Sequence, residues 1–160
     1  MQIFRLLQRV VTAASVLGVA APTLATTHEN FGDHFFKNGY YYRAVTEYEK
    51  ERYLQDKPGL NLKIAKSLYA GKQFDKALAR IDDIILNPVT PGLIREQARL
   101  LKAKTHLRLD NYDLALSNLN LLATTRHGET QMLRGYAQLF KNKPEEAQKA
   151  WSDIPPTSPY

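Results

Sequence analysis

The chain of 160 residues contains no cysteine, one tryptophan and two methionines. Without thiols it can hold no disulfide, no thiolate zinc site and no cysteine nucleophile. It also lacks a Gly-x-Ser-x-Gly elbow, a glycine-rich phosphate loop followed by lysine, and a His-Glu-x-x-His helix. The four histidines are His28, His34, His106 and His127. Only His28 with Glu29, Asp33 and His34 looks metal-like, and no third strong ligand stands at an obvious distance, so a solvated first helical turn is expected there. Asp82-Asp83 and Glu145-Glu146 are neighbours in sequence and point to different sides of their helices, so neither is an acid–base dyad. We expect no catalytic residue, no cofactor and no metal.

Long hydrophobic runs are equally scarce. The one candidate, Val10 to Ala21, follows a stretch with Arg5 and Arg9 and no acid. It is short for a membrane span, which needs roughly 20 apolar residues, and Pro22 interrupts it. The pattern is that of a secretory signal over residues 1–25, with Thr23-Leu24-Ala25 supplying small residues before a cut after Ala25. No cysteine follows to accept a lipid, so a periplasmic or secreted protein without stable membrane insertion is expected. The alternative is an uncleaved anchor that makes the chain a membrane-bound subunit of an envelope complex.

Charge of one sign is modest. The formal +6 falls to +4 once Arg5 and Arg9 are removed, leaving 20 basic against 16 acidic residues. Acidic and basic side chains are interspersed, which gives little ground for polyanion binding. No nucleic-acid partner is expected.

What the chain does have is a register. Gly32 and Ala44, Ala65 and Ala77, Ala103 and Ala115, Gly135 and Ala147 each stand twelve positions apart. Three after the first small residue come Phe35, Leu68, His106 and Gln138; four after each alanine come Tyr48, Ile81, Leu119 and Trp151. The periodicity predicts helices at about 29–38 and 41–55, 60–70 and 74–86, 92–109 and 112–123, 129–141 and 144–152. Turns at Asn38-Gly39, Gly71-Lys72, Asp110-Asn111 and Asn142-Lys143 join the members of each pair. Small residues are required where paired helices cross, because a larger side chain would hold the backbones apart. His106 falls on such a packing position, where a partly buried, hydrogen-bonded imidazole is expected.

This pattern resembles the tetratricopeptide repeat, a unit of about 34 residues. The strongest match is Phe31-Gly32-x-x-Phe35-x-x-x-Gly39-x-Tyr41-x-x-Ala44-x-x-x-Tyr48, and the alanines recur at 33, 38 and 32 residues. Gln138, Pro144 and His106 depart from the bulky or aromatic residues of the pattern. The resemblance implies an all-α fold, a right-handed superhelical solenoid of four hairpins with about eight helices. The repeats would span about 28–57, 58–90, 91–125 and 128–154 within a domain of residues 26–154, followed by the proline-rich tail 155–160.

In such a solenoid the first helix of each pair lines the concave wall. In this register that wall carries Phe36, Lys37, Lys66, Tyr69, Lys104, Leu107, Arg108, Tyr136, Leu139 and Phe140. Basic groups there suit an acidic side chain or terminal carboxylate, and aromatic faces suit an extended apolar segment. Chaperone-binding members of the family grip a carboxylate with Lys and Asn; the corresponding places here hold Glu29, Asp33, Lys63, Gln97 and Leu101, so that clamp is not reproduced. The expectation is a non-catalytic adaptor of a bacterial envelope that binds a protein or peptide. At the C-terminus, Trp151 and Ile154 run straight into prolines. Either the tail folds back over the fourth repeat, or that flank is an interface for self-association or for a partner.

Overall fold

A computed structural model of the chain describes residues 27–122 and 127–159. The expected signal and its cut after Ala25 lie outside the described residues, as do positions 123–126 of the third connection and the final tyrosine. Within the described residues the chain is all-α, with eight helices and no strand: α1 His28–Lys37, α2 Tyr41–Leu54, α3 Leu60–Ala70, α4 Phe74–Leu86, α5 Gly92–Arg108, α6 Tyr112–Asn120, α7 His127–Phe140 and α8 Pro144–Ser152. They pair as four antiparallel hairpins, and each helix packs on its neighbours in sequence. α7 begins two residues before the expected start, and α6 ends three short because Leu121 and Leu122 turn back onto Asn118 and Leu119.

The four hairpin turns are copies of one another. After each first helix a backbone N–H reaches back five residues: Tyr40 to Phe35, Gln73 to Leu68, Asn111 to His106 and Lys143 to Gln138, at 2.9–3.0 Å. Gly39, Lys72, Asp110 and Asn142 all take positive φ, each seven residues after the small residue of its helix. This is the left-handed residue that ends a helix and satisfies its last carbonyls. In the second hairpin Lys72, not the adjacent Gly71, adopts it, at φ 59°. Gly71 instead sits where an added Cβ would meet Ser67 O at 3.2 Å and Tyr41 Cβ at 3.4 Å.

The helix crossings explain the small-residue register. A Cβ on Gly32 would lie 2.4 Å from Tyr48 Cε1, and one on Gly135 would lie 1.9 Å from Trp151 Nε1. In the middle hairpins the first residue is alanine and its counterpart aliphatic. Ala65 shares a core cluster with Ile81, and Ala103 shares one with Leu119. Size on one helix is thus matched by size on the other, as close packing demands.

The core forms as a series of seams between hairpins. Tyr48, Leu60, Ile64 and Leu68 join hairpins one and two; Leu62, Ile81, Ile84, Ala98 and Leu101 join two and three; Leu100, Leu119 and Leu133 join three and four. Ion pairs reinforce each seam: Glu49–Arg80 at 2.6 Å, Asp82–Lys102 at 2.6 Å, and Asp113 with Lys141. Such nearest-neighbour cohesion defines a solenoid. α3 also touches α5, and α5 touches α7, so first helices crowd together along one side and form its inner wall.

Candidate functional site

The inner wall changes character along its length. At the N-terminal end, Lys63 of α3 reaches back to α1, where its Nζ donates to Asp33 Oδ1 at 2.7 Å and lies 2.8 Å from Glu29 Oε1. Tyr48 donates its hydroxyl to the same Asp33 Oδ1 at 2.7 Å, and the Lys63 ammonium lies 5.6 Å from the Tyr48 ring centroid. Lys57 joins Glu29 at 3.2 Å to the buried Glu51 at 3.0 Å. The hydrogen bond from Lys63 is the main reason that Glu29 titrates below the ordinary carboxylate range. Burial pulls Lys63 down, but its two carboxylate partners outweigh that and leave its pKa raised. Burial, then Asp33, pushes Tyr48 up. Both lysines are thus engaged, shared among three carboxylates.

Glu29 and Asp33 are four residues apart on α1, so they present one edge to a single cation. His28 turns the other way and meets Glu47 at 2.6 Å. Among the described residues no cluster of three carboxylate, imidazole or thiol groups is placed to hold a metal ion.

Midway, Lys104 of α5 donates to Glu129 Oε1 of α7 at 2.6 Å. Glu129 is buried, so Lys104 is committed to a structural pair across the third seam. Lys37, Lys66 and Arg108 are exposed. Phe36 packs edge-on to Tyr41 at 5.6 Å, Tyr69 lies against Phe74 at 5.8 Å, and Leu107 packs on the third seam. These three are half-buried and give the wall its floor.

At the C-terminal end the wall opens into an apolar surface. Tyr136, Leu139 and Phe140 of α7 are exposed. Phe140 stacks on Tyr112 at 5.6 Å with rings 11° from parallel, and Tyr136 meets Trp151 edge-on at 5.8 Å. Trp151 is further fixed by donating its indole N–H to Met132 O at 3.2 Å. Each of these exposed rings thus has an aromatic partner that restricts its orientation.

The sequence singled out Tyr136, Leu139, Phe140, Arg108, Lys37 and Lys66, and all six face solvent. It did not reveal that Lys63 would tie Glu29 to Asp33, or that Lys104 would pair with Glu129. The only available signal for the first was charge complementarity at 30 and 34 residues' separation, which is visible once the repeat length is known.

His106 corrects one expectation. It is buried as anticipated, yet its Nδ1 has no hydrogen-bond partner. Burial, then the nearby Lys102 charge, lowers its pKa. The imidazole therefore serves as a neutral packing group in the place that Leu68 fills one repeat earlier.

No protein-family model matches the chain, and no curated protein matches it.

Proposed function

We propose that the chain is a tetratricopeptide-repeat adaptor that holds an extended segment of another protein along its inner wall. The observation that carries this reading is the contrast within that wall. At its N-terminal end Lys57 and Lys63 are paired with Glu29, Asp33 and Glu51, while Tyr136, Leu139 and Phe140 stand exposed toward the C-terminal end, and the exposed Arg108 holds, one repeat earlier, the place of Phe140. Exposed aromatic side chains and arginine are among the residue types that dominate the energetics of protein interfaces. The segment would place apolar side chains against Tyr136, Leu139 and Phe140 and an acidic group near Arg108, with Lys37 and Lys66 further along. No catalytic step belongs to this reading.

The leader sequence supports export, with cleavage after Ala25 giving a periplasmic or secreted protein. No helix among the described residues is long and apolar enough to cross a membrane. Capture from envelope extract tests the binding reading. Arg108→Ala combined with Phe140→Ala should reduce the captured partner at least about tenfold, the scale of one interface hot spot, while the domain stays folded. Undiminished capture by a folded double variant would remove it.

A further inference from the structure

Where the second helices of two hairpins flank the first helix between them, the stack leaves a cleft, and the first and third seams can be compared position by position. At the first seam the cleft between α2 and α4 is floored by Ile64 and Leu68 of α3 and bridged by Glu49 and Arg80 at 2.6 Å. At the third seam, between α6 and α8, the same register positions hold Arg134 and Gln138 of α7 on the floor and Asn120 and Ala150 on the two walls. An aliphatic floor is replaced by a polar one, and the ion pair across it is gone.

The fold does not satisfy this polar floor from within. Arg134 is pinned by donating Nη1 to Gln131 Oε1 and Nη2 to Leu119 O, both at 3.1 Å. Its Nε and the Oε1 of Gln138 are buried and have no hydrogen-bond partner among the described residues. Leaving a buried donor and a buried acceptor unpaired is costly, and the aliphatic residues of the first seam avoid that cost. Both side chains are only half-buried as a whole and line the cleft, so a ligand seated there reaches them.

The antiparallel pairing of α7 and α8 sets the order of groups along the cleft. Gln131 Nε2 donates to Asp153 Oδ2 at 3.3 Å and closes one end. One turn on, Arg134 comes level with Lys149; a further turn on, Gln138 comes level with Glu146. Lys149 and Glu146 are exposed and form no ion pair among the described residues. Two cations thus stand about 5 Å, one helical turn, from an unpaired acceptor and a carboxylate. The cleft encloses about 280 Å³, at the small end for a small-molecule site, and Leu116 and Ala150 give it a short apolar stretch.

We propose that this cleft binds a free α-amino acid as its zwitterion, the carboxylate at Arg134 and Lys149 and the ammonium at Gln138 Oε1 and Glu146. Such a ligand carries an acceptor and a donor a short distance apart, which is what the two unpaired atoms require. An inorganic anion would answer Arg134 and face Glu146, and a simple amine would answer Gln138 and face Lys149. Leu116 and Ala150 favour a small or aliphatic side chain. The inference goes beyond the inner-wall reading and does not depend on it.

Isothermal titration of the purified protein with L-alanine, L-valine and L-leucine tests it, each beside the matched amine and the matched carboxylate that lack one of its two charged groups. At least one amino acid should bind, and its two analogues should bind at least about tenfold more weakly, the scale of one hydrogen bond to a charged group. Gln138→Leu, which installs the residue of the first seam, should weaken binding at least about tenfold while raising the melting temperature of the free protein. Lys149→Ala, at an exposed position, should weaken binding with helix content unchanged. Absence of binding by all three amino acids, analogues that bind as tightly as the amino acid, or undiminished binding by either folded variant would overturn the proposal.

Discussion

The end hairpins and the middle hairpins solve the same crossing in opposite ways. Hairpins one and four set glycine against a large aromatic ring, Gly32 with Tyr48 and Gly135 with Trp151. Hairpins two and three set alanine against Ile81 and Leu119. Among the described helices a middle hairpin packs on a hairpin at each side, whereas an end hairpin packs on one. The broad ring fills the space that glycine leaves at the crossing.

The most damaging way to break this contrast is Gly135→Ala. The new methyl has no room beside the Trp151 indole, and the expected cost is about 1–3 kcal/mol, the range of core overpacking. Gly32→Ala should behave similarly against Tyr48. Adding Trp151→Leu to Gly135→Ala recreates the alanine–leucine pairing of hairpin three and should recover part of the loss. Urea unfolding of the single and double variants measures this, and a double variant no better than the single would refute size matching.

Next in size is the seam pair. Lys104→Ala removes the cation beside buried Glu129 and should cost about 1–3 kcal/mol. Arg108→Ala, one turn further on and exposed, should cost less than about 0.5 kcal/mol. Thermal melts of the two variants separate a structural cation from one available to a partner.

His106 distinguishes hairpin three from hairpin two through pH. Its pKa is lowered in the fold from the ordinary 6.5, so the unfolded chain binds the extra proton first. Stability should be fully present above pH 6.5 and should fall as pH drops through 6.5 toward the folded value. His106→Leu should flatten the melting temperature between pH 7 and pH 5, and an unchanged slope would locate the titration elsewhere.

The smallest effect is at the turns. Lys72→Gly should gain roughly 0.5–1 kcal/mol by relieving a left-handed lysine. Asn142→Gly should gain less, because asparagine tolerates that conformation. Chemical denaturation resolves the two.

Much of this fold was legible because the repeat writes it at fixed intervals. The small residues, the turns and all eight helices follow from Gly32, Ala44 and their counterparts, since helix crossings constrain residue size locally. The pairings across seams were not legible. Lys104 looked like a free groove cation because its partner, Glu129, belongs to another hairpin, and sequence periodicity says nothing about which charges meet there. His106 likewise matched a packing position, but only the assembled neighbours reveal that its Nδ1 is left without a partner. On the wall itself, Tyr136, Leu139 and Phe140 were readable as exposed. The support given by Tyr112 and Trp151 required the hairpin to be closed.

A photo-crosslinking residue placed at Leu139 tests the inner-wall claim most directly, with Leu114 on the second helix of hairpin three as the control. Both side chains are exposed, so both report on encounter. Illumination in envelope extract should give a discrete protein adduct from position 139 and none from 114. Equal adducts from the two positions, or none from 139, would contradict capture along the inner wall.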